Sequence, residues 1–235
     1  MFRDELIAAA KDFGLVLTTE QIDRFCLFAE RLVETNKVMN LTALTEPADV
    51  AVKHMIDSLS CYDAAWFPEG ASVLDLGTGA GFPGLPLKIL CPSIQLTMVD
   101  SLGKRVNFLQ TVCDALHLTG AEAIHARAEE FAASHRAGFD IVTSRAVAAL
   151  PVLAELCLPL VKEGGWFLAM KSVDSDAETA AAAHALEILG GRLEKAEDYV
   201  IPGTDVRHRL LFIKKVKETP KKYPRAFAKI KKNPL

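Results

Sequence analysis

Cysteine pairing is missing from this chain. Its five cysteines (Cys26, Cys61, Cys91, Cys113, Cys157) are odd in number, widely spaced and never in C-x-x-C order, which excludes a disulfide framework and a thiolate zinc site. Buried free thiols are expected instead. Long apolar runs are missing too: nowhere do 18 uncharged apolar residues follow one another, so no membrane span is expected. Asp4 and Glu5 precede Leu6 and Ile7, where an export signal would carry basic residues, and a soluble, cytoplasmic protein is expected. An overall positive charge is also absent. Lys and Arg number 27 against 30 Asp and Glu, which excludes a uniformly basic nucleic-acid binder but not a locally basic one. Residues 214–235 hold eight Lys and Arg225 against Glu218, a charge of +8, so residues 1–213 carry −11.

What is present is a globular composition: 235 residues, 50% hydrophobic and 24% charged. The first sixty-odd residues read as helical. Thr18 and Gln21 form a T-x-x-Q capping box ahead of Ile22, Phe25, Phe28, Ala29, Leu32 and Val33 at helical spacing. A second helix is expected after Thr45, with Pro47 in its first turn, through Val50, His54 and Leu59 to about Tyr62. Pro68, Glu69 and Gly70 then break the chain. From Ser72 onward short apolar runs alternate with helix-length segments, the pattern of a parallel sheet with crossover helices. Strands are expected at 73–76, 95–99, 122–125, 140–143 and 166–170, and helices at about 85–91, 104–117, 128–135, 149–162 and 175–190. A final pair, 193–201 and 209–216, has too short a connection for a crossover and should be an antiparallel hairpin. The expected division is 1–68, an N-terminal helical extension; 69–216, the α/β domain; and 217–235, a basic tail. With no long heptad or large apolar surface, a monomer is expected.

The turn after the first strand, Leu74-Asp75-Leu76-Gly77-Thr78-Gly79-Ala80-Gly81-Phe82-Pro83-Gly84, is the candidate site. Glycines permit positive φ and let a ligand lie against the backbone, at the sheet edge where open α/β folds bind ligands. Two templates fit. Gly79, Gly81 and Gly84 make G-x-G-x-x-G, with Asp100 ending the second strand where an acid would meet ribose hydroxyls. Asp75, two residues before Gly77, makes D-x-G-x-G-x-G, which resembles motif I of the S-adenosylmethionine-dependent methyltransferases. Pro83 and Pro86 fit the second template better, because a pyrophosphate cradle needs free N–H groups at that helix start. A nicotinamide-dependent oxidoreductase is the alternative, and a tight turn capped by an acid is the plain structural one. Further on, Ala128 and Glu129 open a helix, and Glu129 is the candidate acceptor for an adenine amino group; an acid favoured by the helix dipole is the alternative. Arg145 ends a central strand, where burial without a partner would be costly. A salt bridge to a loop acid is its plain alternative.

Taken in order, Asn40-Leu41-Thr42, His54-Met55-Ile56-Asp57-Ser58-Leu59, the Asp75 to Gly84 loop, Asp100-Ser101-Leu102-Gly103-Lys104-Arg105 and Ser144-Arg145-Ala146 resemble the successive motifs of the ribosomal RNA small subunit methyltransferase G family, also called glucose-inhibited division protein B. The resemblance implies a class I S-adenosylmethionine-dependent methyltransferase (Rossmann-like) α/β fold, its sheet mostly parallel with an antiparallel last strand. It implies S-adenosyl-L-methionine as cofactor and methyl transfer to N7 of the guanine at position 527 of 16S ribosomal RNA. The partner would be that RNA in a small ribosomal subunit or its assembly intermediate. Cofactor contacts would fall on Gly77, Phe82, Ala128, Glu129 and Arg145, with Gly79 in the same loop and Asp100 added by analogy with the wider fold. No metal is called for.

N7 of guanine has a lone pair and no proton, so no general base is expected and catalysis should be mostly positioning. Arg145 is expected to donate to guanine O6, beside N7, and His54, Asp57 and Ser58 to shape the substrate side. Thr143-Ser144-Arg145-Ala146 stands where amino-group methylases carry D-P-P-Y or N-P-P-F, and no cysteine stands where cytosine C5 methylation would need its nucleophile. A methyltransferase acting on another RNA guanine, and a non-catalytic RNA-binding module, remain as alternatives. RNA affinity is expected from the tail, chiefly Lys221, Lys222 and Arg225, then Lys214, Lys215, Lys217, Lys229, Lys231 and Lys232, with Tyr223 and Phe227 as stacking faces. Lys53, Lys104 and Arg105 would extend that surface. After Arg225 the family's longer members resemble Lys-Ala-Gly and then Thr-Pro; here Ala226-Phe227-Ala228-Lys229-Ile230 stands instead.

Overall fold

The computed structural model describes residues 1–145 and 148–235; Ala146 of the Ser144-Arg145-Ala146 motif lies outside the described residues. Seven strands, β1 (Ser72–Leu76), β2 (Gln95–Asp100), β3 (Ala121–His125), β4 (Phe139–Arg145), β5 (Val161–Ser172), β6 (Gly191–Val200) and β7 (Arg207–Lys215), form one sheet in the order β3-β2-β1-β4-β5-β7-β6. All pairings from β3 to β5 are parallel, and β7 runs antiparallel to both β5 and β6. The mostly parallel sheet and the terminal hairpin are as expected. The strand order reverses between β1 and β4, the switch point at which open α/β sheets hold ligands beyond their carboxyl ends. Gly77 after β1, Asp100 at the end of β2 and Arg145 at the end of β4 therefore stand on one edge.

Alternation along β1 feeds two cores. Val73 joins Leu6, Phe25, Phe28, Leu85 and Leu96 on one face, so the N-terminal helices share a core with the sheet. Leu74 and Leu76 join Val142, Leu153, Leu186 and Ile230 on the other. The N-terminal helices are α1 (Phe2–Asp12) and α2 (Thr19–Met39). The α2 capping box is reciprocal: Gln21 N–H donates to Thr18 Oγ1 at 3.2 Å and Thr18 N–H to Gln21 Oε1 at 2.9 Å. It ends at Asn40, whose φ of 48° is the left-handed cap that Asn tolerates best after Gly.

Where one continuous α-helix was expected after Thr45, the chain forms α3 (Pro47–Asp49), a π-helical stretch at Val50–Ile56, and α4 (Asp57–Leu59). Apolar spacing does not register a change of hydrogen-bond partner, and π turns concentrate at functional sites. Beyond β1 come α5 (Gly84–Leu90), α6 (Gly103–Ala115), α7 (Ala128–Ser134) and α8 (Leu150–Cys157). The expected helix over 149–162 stops short: a 3-10 turn at Leu158–Leu160 follows, where Pro159 removes a helical donor, and β5 starts at Val161. The expected 175–190 helix is two, α9 (Asp176–Ala181) and α10 (Ala183–Leu189), and α11 (Phe227–Lys232) lies in the tail. All five thiols are free, but Cys26 and Cys91 are only partly buried. No described helix is long and apolar enough to cross a membrane.

Candidate active site

The loop after β1 is held by its own amides. Gly77 and Thr78 donate to the Val99 carbonyl, and Gly81 and Phe82 to that of Thr78. Gly79 N–H donates to Asp100 at 3.0 Å and Gly84 N–H to Asp75 at 2.8 Å. Leu85 N–H donates to Gly81, and Pro86 has none. These donors are spent internally, so this is no cradle for a pyrophosphate, which requires outward-pointing N–H groups. A ligand without phosphates fits it. At Gly79, φ is +60° and the Cβ direction is empty, leaving open space over the backbone. Gly84 serves closeness instead: a Cβ there would lie 2.9 Å from Asp75 Oδ2.

Asp75 is the loop's fastener. Fully buried, it accepts from Thr78 Oγ1 at 2.6 Å and from Gly84, while Oδ1 has no partner among the described residues. Burial pushes its carboxyl up to about 6, against those hydrogen bonds and the Arg145 charge. Asp100 accepts from Gly79, from Leu102 N–H at 2.9 Å and from Arg105 at 3.3 Å. A carboxylate has about four lone-pair sites, so Asp100 retains capacity for one ribose hydroxyl.

Arg145 is the hub. Its Nη1 donates to Asp57 Oδ2 at 3.0 Å and to Ser58 Oγ at 3.4 Å, and its Nη2 lies 3.4 Å from His54 Nδ1. The guanidinium lies over the Phe82 ring, 4.9 Å from its centroid. Phe82, buried, also stacks on His54 at 4.5 Å and on Phe28 at 5.3 Å. The ion pair anticipated as the plain alternative is thus present, but with a helix acid. It does not exhaust Arg145, because five N–H donors minus those three bonds leave two without a partner among the described residues. Burial drives His54 down to about 4, helped by the Arg145 charge. Its ring is therefore neutral near pH 7, accepting from Arg145 at Nδ1 and donating from Nε2 to Thr42 Oγ1, 2.7 Å away. Burial alone would raise Asp57, but the hydrogen bond from His208, the Arg145 charge and Tyr199 outweigh it and hold the carboxyl below the usual range.

Three cavities run in line along this edge. One, lined by Gly77, Asp100, Ala128, Glu129, Leu153 and Phe227, shares Gly77 and Asp100 with the next. The middle one is walled by Thr42, His54, Gly79, Phe82 and Arg145. The third shares His54 and Arg145 with it and adds Lys53, Asp57, Lys171 and His208. The structure thus brings Gly77, Gly79, Phe82, Asp100, Ala128, Glu129 and Arg145 into one continuous groove.

Sequence reading missed Tyr199 and His208, both of which donate to Asp57, at 2.8 and 2.7 Å. They come from the terminal hairpin, and no local spacing ties them to a helix 140 residues earlier. Besides Phe227, which lines the first cavity, three tail residues differ from the sequence expectation. Arg225 wraps Glu155, fully buried on α8, through its Nε at 2.8 Å and Nη2 at 2.6 Å. Lys215 is buried, donating to the carbonyls of Leu158 and Leu189 and to Thr219 Oγ1. Tyr223 is buried too. Residues 227–232 form α11 and bury Ile230.

The GidB family model, described as rRNA small subunit methyltransferase G, matches residues 21–204. The Ribosomal RNA small subunit methyltransferase G of Lachnoclostridium phytofermentans is 48% identical over 231 residues, 97% of this chain and 96% of that protein. Its Clostridium botulinum counterpart is 44% identical, over 100% of this chain and 99% of that one. Among solved structures, TrmN from Thermus thermophilus superposes with a TM-score of 0.55 at 21% identity, over 82% of this chain and 52% of that one. M. jannaschii TYW2 in complex with AdoMet gives 0.53 at 14%, over 65% and 73%. At such identities these two establish the fold alone. The full-length relatives go further: the chain belongs to the rRNA small subunit methyltransferase G family.

Proposed function

We propose that this protein transfers the methyl group of S-adenosyl-L-methionine to N7 of a guanine, position 527, in 16S ribosomal RNA, as a cytoplasmic monomer acting on the small ribosomal subunit or its assembly intermediate. The observation that carries the reading is the groove itself: a phosphate-free cofactor cradle that meets a polar, partly basic cavity at Arg145. The cofactor supplies an electrophilic sulfonium methyl. Glu129 would accept from the adenine amino group and Asp100 from a ribose hydroxyl, and the backbone at Gly77 and Gly79 would hold the remainder.

The acceptor guanine belongs in the third cavity. Its N7 needs no deprotonation, so the site has only to hold it in line at about 3 to 3.5 Å. Arg145 is suited to that role because Asp57, Ser58 and Phe82 fix its plane while two N–H groups stay available for guanine O6. A neutral His54 adds no second positive charge beside a base that becomes cationic on methylation. Lys53 and Lys171 also line this cavity, paired with Asp49 and Glu178, and a phosphodiester passing there would compete with those carboxylates for them. In the tail, Lys221, Lys222, Lys229, Lys231 and Lys232 are exposed cations suited to RNA, as is Lys217.

The test is methyl transfer from labelled S-adenosylmethionine to four separate acceptors: small subunits lacking the modification, their extracted RNA, transfer RNA and mixed protein, with mapping of the labelled base. Label confined to N7 of one 16S guanine is expected, and label on any other base overturns the assignment.

A further inference from the structure

Phe227 of the tail was expected to serve, with Tyr223, as an RNA stacking face. Instead the ring lines the first cavity, together with Ala128, Glu129 and, from α8, Leu153 and Leu156. Its position is imposed from both sides. Two residues before it, Arg225 donates to the buried carboxylate of Glu155, and three residues after it Ile230 is fully buried in the α8 core. Arg136 adds bonds to the carbonyls of Thr219 and Tyr223, at 2.5 Å each. The ring is half-buried, packed against this core while also lining the cavity. An aromatic ring lining a cavity otherwise rimmed by Gly77, Asp100 and Glu129 is suited to a flat, apolar-faced ligand group, because burying its exposed area removes apolar surface from water.

We propose that Phe227 is a cofactor-positioning residue, forming an apolar wall of the purine subsite, so that the basic tail completes the nucleoside pocket. This rests on the cofactor reading above. Every purine presents a π face, so Phe227 supplies affinity, while selectivity for an amino-bearing purine falls to Glu129.

Calorimetric titration of wild type, Phe227→Ala and Phe227→Tyr with S-adenosylhomocysteine, and separately with adenosine, tests this. Phe227→Ala is expected to weaken both ligands about tenfold, about 1.4 kcal/mol, and Phe227→Tyr to bind within about twofold of wild type. Should the alanine variant fail to fold, Phe227→Leu keeps the contact with α8, removes the ring face and is held to the same standard. If wild type binds S-adenosylhomocysteine and the ring-less variant binds equally well, or loses affinity for it but not for adenosine, the inference is overturned while the function stands. If wild type binds neither ligand, the cofactor reading itself falls and takes the inference with it.

Discussion

Arg145 and His54 occupy one contact, and the guanidinium adds to burial in keeping the ring neutral. A permanently charged guanidinium, paired with Asp57 and laid over Phe82, makes a protonated imidazole 3.4 Å away unfavourable. Replacing Arg145 with Lys keeps the charge but loses the planar fork that spans Asp57, Ser58 and the base. Turnover at saturating cofactor should fall about 10²-fold, the cost typical of a misplaced reacting group, while the fold persists; steady-state methylation and a melting curve check both, and undiminished turnover removes Arg145 from the positioning role. His54 and Asp75 make a second, pH-dependent case. Asp75 is raised to about 6, so its neutral form stabilises the fold at low pH, and that stabilisation is lost as pH rises through about 6. His54 is lowered to about 4, so its contribution is present above its ordinary 6.5 and is lost as pH falls through about 4. Between these limits the two oppose one another, each worth about 3 kcal/mol at most. Denaturant unfolding of wild type should therefore show little net change from this pair between about pH 7 and about pH 4.5, whereas His54→Gln should gain relative stability on acidification. Parallel pH profiles for the two proteins would contradict the His54 assignment, and a His54→Gln profile that does not rise on acidification would contradict that of Asp75.

At the scale of elements, what the sequence announces and what it conceals follow from range. Capping at Thr18, the strand-helix alternation after Ser72 and the glycine turn are local patterns, and each was legible. The π-helical stretch at Val50–Ile56 was not, because it differs from an α-helix only in which carbonyl each amide reaches. The tail misled because lysine and arginine signal solvent, whereas Lys215 and Arg225 find oxygen acceptors on α8, α10 and their flanks, many residues away. Tyr199 and His208 reach Asp57 across the whole fold for the same reason. Arg225→Ala would leave Glu155 charged, fully buried and stripped of its guanidinium. Breaking one side of such a pair costs about 3 to 5 kcal/mol, so the melting temperature should drop by roughly 10 °C; a drop no larger than that of an exposed tail Lys→Ala would refute the anchoring role. Thr18→Ala, which opens one half of the α2 capping box, should cost about 1 kcal/mol in a denaturant titration.

For the whole molecule the question is how a chain of net charge −3 would hold a polyanion. The sheet and helices carry the acidic excess, and the tail, fastened along α8 rather than trailing free, would present its cations from a fixed place beside the cofactor groove. That geometry separates two kinds of tail residue by experiment. Lys221, Lys222, Lys229, Lys231 and Lys232 are exposed, while Lys215 and Arg225 are used within the fold. Counterion release makes the logarithm of RNA affinity fall linearly with the logarithm of salt concentration, by about 0.7 to 0.9 per phosphate neutralised. Replacing these five exposed lysines with Gln should therefore flatten that slope by about 3.5 to 4.5 if each lysine meets one phosphate, and weaken binding to 16S RNA most at low salt. The melting temperature and S-adenosylhomocysteine affinity should stay near wild type, since none of the five lines the groove. A slope unchanged by all five substitutions would move RNA recognition off the tail, onto the mouth around Lys53 and Lys171.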